Sequence, residues 1–190
     1  EGKDWEIECE NCSSMVTILA IHGGGIEPAT TELAYTIAHR GDYNYFSFKG
    51  MRSEGNNELH VTSTHYDDQI ALDLVRGSQR TVAIHGCEGN ESVAYIGGSD
   101  DRLIELITES LEDIGISVRE APHHISGTQE NNIVNMTQTQ GGVQLELTAQ
   151  LRKELFKNRK SSRKNRENKD NWDDLMYDFA DAMKKAIERA

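Results

Sequence analysis

Proline is almost absent from this sequence, at two of 190 residues, and no Pro-rich stretch divides the chain. Long apolar runs are missing too. None approaches the roughly 18–20 residues that a bilayer span requires, and the acidic start (Asp4, Glu6, Glu8, Glu10) has neither the basic nor the apolar region of a signal peptide. These absences predict a chain that neither crosses a membrane nor carries a leader. Cations are outnumbered: 20 Lys plus Arg against 32 Asp plus Glu leave a formal charge of −12. A carboxylate-rich surface repels phosphate, which excludes bulk nucleic-acid binding. Cysteine is scarce, at three. Cys9 and Cys12 make one C-x-x-C without a second ligand pair, so they read as an inert or optional disulfide pair rather than a structural zinc site. Cys87, close to His85, is expected near a site without belonging to it. The sequence has no G-x-S-x-G, no G-x-x-x-x-G-K-[ST] and no dinucleotide fingerprint, which removes the nucleophile-elbow serine hydrolases, P-loop proteins and nucleotide oxidoreductases.

What is present begins with an uneven charge. Residues 151–170 hold nine basic side chains (Arg152, Lys153, Lys157, Arg159, Lys160, Arg163, Lys164, Arg166, Lys169) against three acids, a local +6 within a chain that is otherwise −18. Such a stretch is either a solvated helix end and loop or an anion-binding rim. Strand-like and helix-like segments alternate along the chain. Strands are expected over 15–22, 44–48, 58–64, 81–85, 92–96, 116–120 and 143–147, the third on its period-2 face of Leu59, Val61 and Ser63. Helices are expected over 28–39, 67–76, 99–114 (with Ser99 as cap and Gly115 as stop), 148–158 and 171–189. This alternation predicts an α/β fold: one domain over 1–190, an open twisted sheet flanked by helices. The short connections after Asn44 and Thr81 permit antiparallel pairs, so the sheet is expected to be mixed. The domain would carry an N-terminal extension over 1–14, a basic loop over 158–170 and a C-terminal helix over 171–189.

In such sheets, sites gather beyond the carboxyl ends of strands. Three expected strands end in groups that suit a divalent metal: His22-Gly23-Gly24-Gly25-Ile26-Glu27, His85-Gly86, and Glu146 within Val143-Gln144-Leu145-Glu146-Leu147. Catalytic zinc commonly takes two imidazoles and a carboxylate and keeps one position open for water, a set that His22, Glu27 and His85 supply. The glycines allow the chain to fold back and bring Glu27 towards the imidazole. One strand-end histidine alone is more often a hydrogen-bonded structural residue than a ligand; the joint arrangement with His85 brings the metal reading level with it.

Five blocks then carry a resemblance: Ile21–Glu27, Asn57–Thr64, Ala83–Gly86, Gly97–Asp100 and Gly142–Leu147, in order over roughly residues 16–152. Together they are similar to the poly-γ-glutamate hydrolases encoded by phages and prophages of bacilli. The resemblance implies a zinc-carboxypeptidase-like sandwich, one zinc ion per chain, and cleavage of γ-glutamyl amide bonds in a polyanionic capsule polymer. It matches His22, Glu27 and His85 to the zinc ligands and Glu146 to the catalytic glutamate. The first ligand pair is two residues wider than the H-x-x-E of carboxypeptidases, and their Asn-Arg carboxylate clamp is not recognisable, which favours endo-acting cleavage. Candidate substrate contacts are His60, inside a matched block, with His65, Asn57, Arg52 and Arg152, the last at the head of the basic stretch. His123 and His124 read as surface residues. The implied protein is a monomer, acting outside cells after lysis or export, with no nucleic-acid or membrane partner. Other readings are an amidohydrolase of small N-acyl or γ-glutamyl amino acids and a non-catalytic polyanion-binding module.

Overall fold

The computed structural model describes residues 2–190; Glu1, the first residue of the expected N-terminal extension, lies outside the described residues. Its elements are β1 (Trp5–Glu10), β2 (Val16–Gly24), α1 (Thr30–Gly41), β3 (Asn44–Gly50), α2 (Gln69–Gly77), β4 (Arg80–Cys87), β5 (Val93–Gly98), α3 (Asp101–Asp113), β6 (Ser117–Glu120), β7 (Val143–Thr148), the short α4 (Ala149–Glu154) and α5 (Arg163–Arg166), and α6 (Asp174–Glu188). The seven strands form one sheet in the order β1-β3-β2-β4-β7-β5-β6. The centre, β3-β2-β4-β7, is parallel; β1 on β3 and β5 on β7 are antiparallel, and β6 returns parallel to β5. The mixed α/β sheet expected from the sequence is therefore the fold.

Alternation along the central strands divides the interior in two. Ile18, Ala20, Val82, Ile84, Leu145 and Leu147 meet α1, α3 and α6 on one face, whereas Leu19, Ile21, Phe46 and Ala83 meet α2 and the one-turn helix Ile133–Asn135 on the other. The helices form where caps and periodicity agree. The Asp100 carboxylate accepts from the Leu103 amide, and α3 then buries Leu103, Leu106, Ile107 and Leu111. Asp68 caps α2 and Asp173 caps α6 in the same way. The cap of α3 is thus Asp100, one residue beyond the expected Ser99.

Several expectations change. The extension over 1–14 contains β1, which covers the outer edge of β3. Residues 58–64 are not a strand: they form one-turn helices at Asn56–Leu59 and Ser63–His65, because β1 already occupies the free edge of β3. The antiparallel pairs do not lie where the short connections suggested, since β7 inserts between β4 and β5. The helix over 148–158 stops at Glu154, and the basic loop is broken into the turn Lys157–Arg159, α5 and the turn Lys169–Asn171. Cys9 and Cys12 are free thiols on the surface, with no disulfide. No helix among the described residues is long and apolar enough to cross a membrane.

Candidate metal centre

The three adjacent parallel strands β2, β4 and β7 bring the strand-end groups together. His85 and Glu146 are direct register partners, so they project from the same face of the sheet. His22 would point to the opposite face if β2 alternated regularly. Its pairing with β3 is irregular between Ala20 and Gly23, where three steps on β2 oppose two on β3, and such an interruption re-aims a side chain. The loop then closes on itself. The Glu27 amide donates to the His22 carbonyl at 2.8 Å, and Gly24 adopts a left-handed backbone (φ 63°) in which a Cβ would strike the Gly50 carbonyl.

His22 Nδ1 lies 2.9 Å from Glu27 Oε1 and 3.0 Å from His85 Nδ1, and His85 Nδ1 lies 3.5 Å from Glu27 Oε2. His22 Nε2 is 2.7 Å from the Val61 carbonyl, which can only accept, so the proton of a neutral His22 sits on Nε2 and Nδ1 presents a lone pair. Burial lowers the His22 pKa against the opposing pull of Glu27, keeping the ring neutral. A lone pair facing a carboxylate oxygen at hydrogen-bond distance is repulsive unless a proton or a cation lies between. The donor separations of 2.9–3.5 Å lie within a few tenths of an ångström of those in tetrahedral zinc, whose ligands at about 2.0–2.2 Å stand about 3.3–3.5 Å from one another. His22, Glu27 and His85 are accordingly a group able to hold a metal ion. Glu27 is further oriented by the Gly86 amide, which donates to Oε2 at 2.8 Å. Burial would raise its pKa, but the facing imidazoles of His22, His60 and His85 together hold the carboxyl well below the usual carboxylate range. His85 Nε2 is buried without a partner, so only the first imidazole has its outer nitrogen fixed.

Glu146 shares the cleft. Burial raises its pKa and so does the charge of Glu27, against the pull of His85. Gln144 donates to Glu146 Oε1 at 2.9 Å and is itself held by Asn132, leaving Oε2 unclaimed. The cleft, about 360 Å³, is walled by Thr62, Thr64, Gln129 and Asn132, with His60 and His124 at its sides and no lysine or arginine among its lining residues. Cys87 also lines it, but burial pushes the thiol up to about 11, so it is not a nucleophile near neutral pH.

Of the residues singled out in the sequence, His22, Glu27, His85, Glu146 and His60 meet here; the His60 ring stacks on His22 with centroids 3.8 Å apart, and its Nε2 is 3.5 Å from Glu27. Four others do not line the cleft. Arg52 pairs with Glu58 and Asp4, Asn57 and His65 project to solvent, and Arg152 is turned inward onto backbone carbonyls. Gln144 escaped the sequence reading although it lies two residues before Glu146 on the same strand face, and His124, exposed as expected, also lines the cleft.

Comparison with known proteins gives the same picture. A family model described as poly-gamma-glutamate hydrolase matches residues 1–182. The SPbeta prophage-derived protein YoqZ of Bacillus subtilis is 39% identical over 143 residues, covering 74% of this chain but 52% of YoqZ, and YndL of the same organism is 32% identical over 82% of this chain and 62% of YndL. The chain therefore spans about half to three-fifths of the length of these two relatives. Among solved structures, a bacteriophage poly-gamma-glutamate hydrolase superposes with a TM-score of 0.95 at 32% identity, covering 100% of this chain and 90% of that one. A zinc-free apo form of YndL superposes at 0.90 with 30% identity, covering 97% and 90%. By its sequence and by its fold, the chain belongs to the poly-gamma-glutamate hydrolase family.

Proposed function

We propose that this protein is a zinc-dependent hydrolase that cuts γ-glutamyl amide bonds within poly-γ-glutamate, with His22, Glu27 and His85 holding the metal and Glu146 acting as general base. The observation that carries the reading is the convergence of lone-pair donors from His22 and Glu27 with His85, beside a carboxylate whose pKa is raised by burial. The family and the zinc-free form of YndL support it. Zinc, when bound, supplies a water of lowered pKa and a Lewis acid for the scissile carbonyl. Glu146 Oε2 accepts the proton of the attacking water and returns it to the departing α-amine, while Gln144 fixes Oε1 so that the basic oxygen does not rotate away. His60, half exposed over His22, is placed to donate to the substrate carbonyl or to an α-carboxylate. The amide and hydroxyl walls bind the polymer through neutral donors, which lets anionic fragments leave. A capsule polymer would meet this enzyme outside the producing cell.

The test is incubation of purified wild type and Glu146→Gln with poly-γ-glutamate, following polymer length with zinc and with a chelator. Wild type should shorten the chain to oligomers only with metal, and the variant should lose about 10²- to 10⁴-fold in kcat while still binding zinc. Equal cleavage by both proteins would remove Glu146 from the mechanism.

A further inference from the structure

Arg152 looks from the sequence like a cation waiting for substrate, yet its guanidinium is spent inside the protein. Nε donates to the Leu147 carbonyl at 3.1 Å, Nη1 to the Pro28 carbonyl at 2.9 Å and Nη2 to the Cys87 carbonyl at 3.1 Å. Leu147 follows Glu146, Pro28 follows Glu27, and Cys87 lies two residues beyond His85. We propose that Arg152 is the positioning residue of the centre, a three-way clamp on the backbone that holds Glu27, His85 and Glu146 at their mutual spacing. The proposal rests on the reading of these residues as metal ligands and general base.

Three further observations agree. Arg152 makes no salt bridge among the described residues, although it is partly withdrawn from water. A cation so placed is costly unless its donors are satisfied, and here carbonyls satisfy all three nitrogens. The planar fork also matters: it can address three carbonyls at once from fixed directions, which a lysine ammonium on a flexible stem does not do. Space is reserved for it as well. A Cβ on Gly86 would stand 2.7 Å from both Cζ and Nε of Arg152, so the glycine that donates to Glu27 is the residue on which the guanidinium lies. His22, by contrast, is held separately through the Val61 carbonyl.

The experiment compares wild type, Arg152→Lys and Arg152→Met. Folding of the metal-free proteins is checked by circular dichroism, zinc affinity is measured by competition with a chromogenic chelator, and kcat and KM are measured on poly-γ-glutamate. Both variants should weaken zinc binding by about 10- to 100-fold, as loss of an outer partner of a metal site does. Their kcat should fall with KM little changed, because Thr62, Gln129 and Asn132 are not on the clamped segments. Wild-type zinc affinity and kcat in a folded Arg152→Met protein would overturn the proposal. So would a loss of thermal stability alone, or an Arg152→Lys protein equal to wild type in both quantities, which is the deciding case if the methionine variant does not fold. A wild type that neither binds zinc nor cuts the polymer would instead overturn the functional reading on which the proposal rests.

Discussion

A neutral side chain in the wrong surroundings can cost as much as a missing contact. Tyr43 is buried against the α1, α3 and α6 face of the sheet, and its hydroxyl has no hydrogen-bond partner. Removing an unpaired buried hydroxyl relieves a desolvation cost of about 1–3 kcal/mol, so Tyr43→Phe should leave urea stability at neutral pH unchanged or higher. Burial, helped by the nearby Glu188 and Asp42 charges, also pushes the phenol up to about 12. An unfolded tyrosine ionises near 10, so between about pH 10 and 12 the unfolded chain releases a proton that the folded one keeps, and stability falls as pH rises. Tyr43→Phe should lose that part of the alkaline decline; parallel pH–stability curves for the two proteins would contradict the assignment. The same scale separates what the sequence could and could not disclose about the site. His22, Glu27 and His85 were legible because glycine-rich strand ends announce a place where side chains can converge. Gln144 was legible in principle through its period-2 spacing from Glu146, but an amide carries no charge to draw attention. The inward turn of Arg152 was not legible at all, since its partner at Pro28 is 124 residues away.

At the level of elements, the basic stretch is the clearest revision. Three of its cations are engaged within the fold: Arg163 pairs with Glu167 and donates to the Met51 carbonyl, Lys169 reaches the Tyr35 hydroxyl and lies over its ring, and Arg166 meets Glu32 at 3.2 Å and the Gly24 carbonyl at 3.1 Å. These contacts line a cavity of about 300 Å³ separate from the cleft at the strand ends, and none of residues 153–169 lines that cleft. Through Arg166 the segment is fastened to the Gly24 carbonyl in the His22–Glu27 loop, away from the lining of the cleft. Arg166→Met would leave Glu32 buried and unpaired, and breaking such a pair costs about 3–5 kcal/mol. Glu32→Leu together with Arg166→Met should recover most of that loss, since replacing both partners by apolar groups is often neutral. Urea denaturation of the two single variants and the double variant measures it, and additive losses would show that the pair is not coupled. Elements with both a cap and a helical stripe, such as α3 and α6, were readable from sequence, and so were the buried strands. β1 was not, because its acidic alternation resembles an exposed tail until Glu8 is seen to pair with Lys49 of β3. The segment 58–64 had the period of a strand, but the edge of β3, the strand it follows in the chain, is taken by β1.

Across the whole molecule, the proposed metal would tie two neighbouring strand ends to the loop that leads into α1. His22 and His85 end neighbouring strands, Glu27 opens the way into α1, and Ala29 between them takes a left-handed backbone (φ 86°) that costs a non-glycine residue energy. A cation bound to all three would favour the folded chain, in which these donors converge, over the unfolded chain, in which they do not. For a ligand at a hundredfold excess over its dissociation constant, that preference amounts to about 2.7 kcal/mol. A chain of this length gains about 2–4 °C in Tm per kcal/mol, so zinc at that excess should raise the melting temperature by about 5–11 °C over protein kept in chelator. Glu27→Gln retains an oxygen for the Gly86 amide but removes the anionic ligand, and its melting curve should respond to zinc far less. Calorimetry of both proteins with and without zinc decides the matter. A wild-type transition that zinc and chelator leave unmoved would mean that the lone pairs at the strand ends are not held together by a resident ion.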